Sequence, residues 1–547
     1  MLKTSSLAKW GVAALLLSSL TSCEDILEQY FPKPTPPPAI PTFPNLGLDI
    51  PFYALTDGTR LDGYSTKDPS TRTSSVAITG LQSGERILAM DFRPATGQLY
   101  GVGSSSRLYV INQNTGVARA MGSGAFMPTI MGELVGFDFN PTVDRIRLVT
   151  STGQNLRLNP ETGTVAATDG PLTGAPGSAL LTGAAYTNNT AGATTTVLYA
   201  INTVDKQLYV INPPNNGTLV PVGALSLNVT GDGGFDIDAK TGTALGLYSV
   251  SGNPTLFSVD LSTGTARPLA QYNTNSGYSA IAIPTQPVAY AAVVSCSRAR
   301  GCVTDLVTFN PTNPAAGFTS KPITGLRNEL FRGIDFRPAT SQLYAVGGMG
   351  GIYTINLTTG AATLMNAFTT FVPGVVAGFD FDPVTDVMRH IVAGGGENYR
   401  INPVSAAVIQ DVTLNPGSTF IQAAAYDNNY AGASTTKLYV VDYNTDKLYQ
   451  VNQPNTGNII EIGSLGVNVG DDIHLDIGGI SNTAYFVSTP RGVFNPATQT
   501  ATRPGPTQLY TINLATGAAT AIGEIDFISL SDRGEYQVFG FSLGLGF

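Results

Sequence analysis

The chain runs to 547 residues, only 12% of them charged, with a formal net charge of −9. That length allows two or more domains. An acidic, sparsely charged chain has no phosphate-tracking surface, which excludes nucleic acid as a partner.

The first element is a leader. Lys3 and Lys9 precede an apolar run over 10–20, and Leu20-Thr21-Ser22-Cys23 follows. A basic start and a short apolar core predict a signal peptide over 1–22. The run is too short to span a bilayer in the mature protein. Its end resembles a bacterial lipoprotein signal. The resemblance implies that Cys23 is diacylated, becomes the mature N-terminus and holds the chain to the membrane. An ordinary secretory signal with an incidental Cys is the alternative. Seven Pro lie between Phe31 and Pro44, so 23–51 is predicted to be a stiff, extended tether. Glu24-Asp25 resembles the export signals of Bacteroidetes surface lipoproteins. The expected location is the cell envelope, as an outer-membrane lipoprotein facing the periplasm or the surface.

The rest of the chain repeats itself. FRPAT at 92–96 returns at 336–340, and the block AAYTNNTAGATTTVLY from Ala184 answers AAYDNNYAGASTTKLY from Ala424. This is a tandem duplication, with one copy over 52–284 and the other over 285–547. Within each copy a unit of about 40–50 residues recurs, which is the period of a propeller blade. In the second unit the strands read ILAMDF, QLYGVG, RLYVIN and VARAMG, joined by Pro- and Gly-bearing turns. The predicted fold is all-β: two tandem β-propellers of about five four-stranded blades each, with one ten-bladed ring as the alternative. The lone strands SAIAI at 279–283 and VFGFSL at 538–543 would each close the first blade of their own copy and hide its edges. LGLDI at 46–50 competes for the first of these places.

Candidate sites follow the repeat. The residue in register with the Asp of Ile-Asp-Phe is Asp91, Asp138, Ala185, Asp236 and Ala282 in the first copy. In the second it is Asp335, Asp380, Ala425, Asp476 and Gly540. First strands line a propeller channel, so Asp91, Asp138, Asp335 and Asp380 are channel-side acids. Recurrence at the structural period favours their accepting backbone N–H groups at blade joints. A bound cation or an acid/base pair is the other reading. GDGGFDID from Gly231 and GDDIHLD from Gly470 are acidic enough for calcium but lack the spacing of a calcium loop. No metal set and no cofactor is assigned. Arg147, Asn155 and Arg157 recur as Arg389, Asn398 and Arg400 while their apolar neighbours drift. Two guanidiniums and an amide suit a carboxylate or another planar anion. The competing reading is a structural network with Asp138 and Asp144, or with Asp380 and Asp386. Cys296 and Cys302 flank a short loop between apolar strands, and in an exported protein such a pair predicts a hairpin disulfide. The two His, His390 and His474, are not shared between copies. This excludes a duplicated Ser-His-Asp or Cys-His site, and no catalytic residue is assigned.

DFRPATGQLY, GFDFNPTVDRIR, TGQNLRLNPETG and NPPNNGTLVPVGAL resemble the bacterial family called domain of unknown function 4394, and the resemblance covers both copies. It implies a propeller-like exported protein and supplies no activity. The function expected is a tandem propeller that binds or scaffolds an extracellular protein or glycan. A carboxylate-dependent hydrolase or lyase acting on a polymer, and a structural surface component, are the alternatives.

Overall fold

The computed structural model describes residues 43–547, apart from 177–180, 299–300, 328, 371, 373, 375, 416–419, 471, 490–493, 496–499, 502–505 and 532–535. The leader, Cys23 and nearly all of the tether lie outside the described residues. The described chain is all-β, and ten of its sheets are four-stranded and antiparallel.

Two closed rings account for those ten sheets. In the first, the inner strands Ile87–Phe92, Val135–Asn140, Leu181–Tyr186, Val229–Ile237 and Tyr278–Ala282 pack side by side, and the fifth returns to the first. The second ring closes in the same way through Phe331–Arg337, Val376–Asp382, Ile421–Tyr426, Ile473–Ile477 and Tyr536–Leu543. There are two five-bladed rings rather than one of ten. Tyr278–Ala282 is the innermost strand of the blade that begins with Pro51–Thr56, and Tyr536–Leu543 completes the blade of Ala289–Ser297. LGLDI does not take the closing place: Ile50 packs in the core beside Phe52 and Ile281.

Local chemistry explains the blades. Their strands alternate Leu, Tyr, Val and Ile with small residues, so each sheet has two apolar faces, one for each neighbour. Ten apolar clusters result, one at each blade joint. The outer hairpins end on a repeated turn. In the first ring Asn112 Oδ1 accepts the N–H groups of Asn114 and Thr115, and Gly116 N donates to Asn112 O. Gly116 has φ +75°, which only Gly adopts without strain. The same turn recurs at Asn356 to Gly360 and Asn513 to Gly517.

The rings meet through the most conspicuous repeated motif. Both FRPAT turns face the seam. Arg93 Nη1 donates to Ser341 O at 3.2 Å, Arg119 Nη2 to Pro338 O at 3.3 Å, and the Tyr290 hydroxyl to Ala95 O at 2.9 Å. Arg93 is fully buried and pairs with Asp144. Residues 544–547 add a clasp: Gly546 N donates to Thr96 O, and Phe547 lies so close to Gly97 that an added Cβ would stand 2.3 Å from its ring.

Candidate cation centres on the ring axes

In the first ring Asp91, Asp138 and Asp236 converge, and in the second Asp335, Asp380 and Asp476 do the same. Within each trio, carboxylate oxygens lie within 4.8 Å of one another. All six residues are 1–2% exposed. Strand alternation brings them there. Met90 and Phe92 go into the joint with the blade before, which leaves Asp91 to face the blade after.

Each acid ties its inner strand to the next one. Asp91 Oδ2 accepts from Phe139 N at 2.8 Å, Asp138 Oδ1 from Tyr186 N at 3.2 Å, and Asp236 Oδ2 from Ile283 N at 2.6 Å. In the second ring Asp335, Asp380 and Asp476 accept from Phe381, Tyr426 and Leu543 at 2.9, 3.3 and 2.6 Å. The same bonds fix the register of the fifth blade. Ile283 and Leu543 are equivalent, so Ser542, not Gly540, is the counterpart of Ala282. Ser542 also takes part, donating to Asp335 Oδ1 at 2.9 Å and accepting from Phe336 N at 3.3 Å.

Burial, and then repulsion from neighbouring acids, pushes Asp91, Asp138, Asp335 and Asp380 well above the usual carboxylate range. Asp236 and Asp476 are pushed up to about 7 by burial, against the pull of the amides they accept from. Among the described residues no basic side chain bonds to any of the six. Three acids held this closely can share protons or surround a cation.

The two acidic stretches flagged for calcium do not form separate loops. Each contributes one carboxylate to a trio, Asp236 or Asp476. Asp238 instead accepts from Thr241, and Asp472 lies 3.4 Å from His474.

The third-blade cluster is a network, but not with the acids expected. Asp138 and Asp144 are not its partners. Arg147 pairs with Asp169 at 2.6 Å, with Asn155 at 2.7 Å and with Asn215 at 2.8 Å. Arg157, directly across the hairpin, grips the same Asp169 with Nε and Nη2 at 2.8 and 2.9 Å. Arg389, Asn398 and Arg400 repeat this around Asp411 and Asn455. Burial pushes Asp411 up, but the bonds from Arg400 and Arg389 outweigh it and hold the carboxyl below its usual range. The place a ligand carboxylate would take is filled by the chain's own Asp. Asp144 and Asp386 serve Arg93 and Arg337 instead. Cys296 and Cys302 form the hairpin disulfide.

Among the inner strands of each ring lies a cleft of about 10 Å³, lined by Leu88, Val135, Thr182 and Gly233 in the first and by Gly333, Phe379, Ala424 and Leu475 in the second, with room for about one water. A larger cavity, about 230 Å³, opens at the seam, lined by Thr190, Gln286, Thr308, Asn310, Phe318 and Thr319 among others. No described helix is long and apolar enough to cross a membrane.

No curated protein matches the chain. Solved structures similar to it include the extracellular domain of BT4673 from B. thetaiotaomicron, at 13% identity and a TM-score of 0.24, covering 86% of this chain and 70% of that one. PorZ, a surface component of the type-IX secretion system of Porphyromonas gingivalis, is 12% identical with a TM-score of 0.26, covering 84% of this chain and 63% of its own. The computationally designed Ika8 protein is 12% identical with a TM-score of 0.20, covering 75% and 95%. Superpositions this loose carry no argument about function. The sequence carries one about kinship: the model of a family described as "Domain of unknown function (DUF4394)" matches residues 60–282 and again 305–532, and the chain belongs to that family as a tandem pair.

Proposed function

We propose that the protein is an exported lipoprotein that displays its two propellers as a rigid binding or scaffolding module for an extracellular protein or glycan. The observation that carries this is the burial of both acid trios. The buried acids are 1–2% exposed, and the clefts among the inner strands have room for about one water each. A polymer-cleaving site needs its carboxylates on the substrate, and these are beyond a polymer's reach. What remains for a partner is the rim loops and the cavity at the seam, whose lining is mixed polar and apolar. The disulfide supports an oxidising compartment, and the reading of Cys23 as an acylated terminus supplies the anchor.

Two measurements test it. Labelled fatty acid is expected in the native chain and absent after Cys23→Ala; equal labelling of both overturns the anchor. Purified mature protein is expected to be retained on isolated cell-surface polysaccharide or on outer-membrane protein from the same cells, releasing no new reducing ends. Release of reducing ends that disappears with Asp138→Asn would make it an enzyme instead.

A further inference from the structure

We propose that each ring axis binds one divalent cation of the calcium kind, held by Asp91, Asp138 and Asp236 in the first ring and by Asp335, Asp380 and Asp476 in the second. This does not depend on what the outer surface binds.

The donors are right for such an ion. They are all oxygen, which selects calcium or magnesium over zinc or copper. Ligands on opposite sides of Ca²⁺ stand about 4.6–5.2 Å apart, twice its usual bond length. Oxygens within 4.8 Å of one another are therefore at bridging distance. The other two positions around each axis carry only small side chains, Ala185 and Ala282 in one ring, Ala425 and Ser542 in the other. In the second ring Ser542 adds a hydroxyl oxygen, bonded to Asp335 and Asp476.

A second observation is independent of the clustering. Asp380 Oδ2 accepts from Tyr426 N, while Asp380 Oδ1 is buried with no hydrogen-bond partner. A buried carboxylate oxygen left bare is costly. This one belongs to a carboxylate that sits within bridging distance of two others.

Charge points the same way. The buried guanidiniums across the strand pair from Asp138 and Asp380, Arg147 and Arg389, are committed to Asp169 and Asp411. Backbone N–H groups donate to all six acids, and among the described residues no basic side chain does, so a dication is the positive charge that would offset the repulsion within each trio.

The test uses the purified mature chain, stripped with a chelator and then equilibrated with Ca²⁺ alone. About two ions per chain are expected to bind, with a rise in melting temperature. Asp138→Asn and Asp380→Asn are each expected to lower the count to about one, because each disables one axis. No uptake of Ca²⁺ or Mg²⁺ and an unchanged melting temperature would overturn the proposal and leave the trios sharing protons. Undiminished uptake by both variants would overturn it as well, since the ions would then sit elsewhere. Should a variant fail to fold, Mn²⁺ in crystals of the native chain decides. Anomalous density between the three carboxylates supports the sites, and its absence there rejects them.

Discussion

At the scale of single residues, the third-blade cluster shows what a duplicated sequence reveals and what it hides. Arg147, Asn155 and Arg157 stood out because they recur while their neighbours drift. Their partners Asp169 and Asp411 recur too, but inside unlike flanks, ATDGPL and IQDVTL, so the acid that completes each network went unmarked. Arg147 is buried and holds four groups, Asp169, Asn155, Asn215 and the Tyr186 hydroxyl, whereas Arg157 is 34% exposed and holds only the shared Asp169. Arg147→Ala should therefore cost about 3–5 kcal/mol, the usual loss when one partner of a buried pair is removed. Arg157→Ala should cost less, about 1–2 kcal/mol, because Asp169 keeps Arg147. Urea unfolding measures both, and equal losses would refute this division of roles. His390 makes a separate prediction. It is buried against Phe368 and Tyr399 where the first ring has Leu148, and burial lowers its pKa to about 4. An unfolded His takes a proton near pH 6.5. Between those values the unfolded chain binds more protons, so stability is lost as pH falls from about 6.5 to 4 and the loss levels off below. The loss reaches about 3 kcal/mol. His390→Leu should remove that part of the acid sensitivity; an unchanged difference between pH 7 and pH 4.5 would show that His390 titrates normally.

At the scale of elements, strand type and turn chemistry were legible and one register was not. The closing strands could be read because SAIAI and VFGFSL are apolar, isolated and placed at the ends of their copies. The slip from Ser542 to Gly540 has a physical cause. A two-residue shift keeps the same side-chain face, because strands repeat every second residue, so alternation alone cannot detect it. The bonds from Ile283 to Asp236 and from Leu543 to Asp476 that fix the register are a tertiary feature. The convergence of Asp236 with Asp91 and Asp138 was hidden for a similar reason: recurrence places residues at one level of a ring without saying how near the axis they come. Turn chemistry yields a sharper expectation. At Gly116 an added Cβ would stand 2.0 Å from Ala77 O in a left-handed conformation. Gly116→Ala should cost roughly 1–3 kcal/mol, from backbone strain together with the clash. A denaturation midpoint equal to that of the native chain would mean that the turn yields freely.

At the scale of the whole molecule, two closed rings share one seam. Duplication explains the rings, since each copy carries its own closing strand and so needs no edge from the other. The seam was not legible, although its residues were the first to be noticed. FRPAT reads as a turn, and a fully buried Arg93 between two rings requires knowing what lies on the far side. Most seam bonds are single hydrogen bonds to backbone carbonyls, from Arg93, Arg119 and Tyr290, joined by the clasp of residues 544–547 on Thr96 and Gly97. None of these closes a blade. Residues 45–286 and 286–547, expressed separately, should therefore each be soluble and unfold cooperatively. Arg93 would keep Asp144 within its own half, so exposing the seam leaves no buried charge unpaired there. Mixed, the halves should associate one to one, and Phe547→Ala should weaken that association while leaving the melting of either half unchanged. Sedimentation of the mixture reads the first effect and calorimetry of the separate halves the second. Two aggregating halves beside a soluble whole would mean that the rings depend on each other for folding and not only for position.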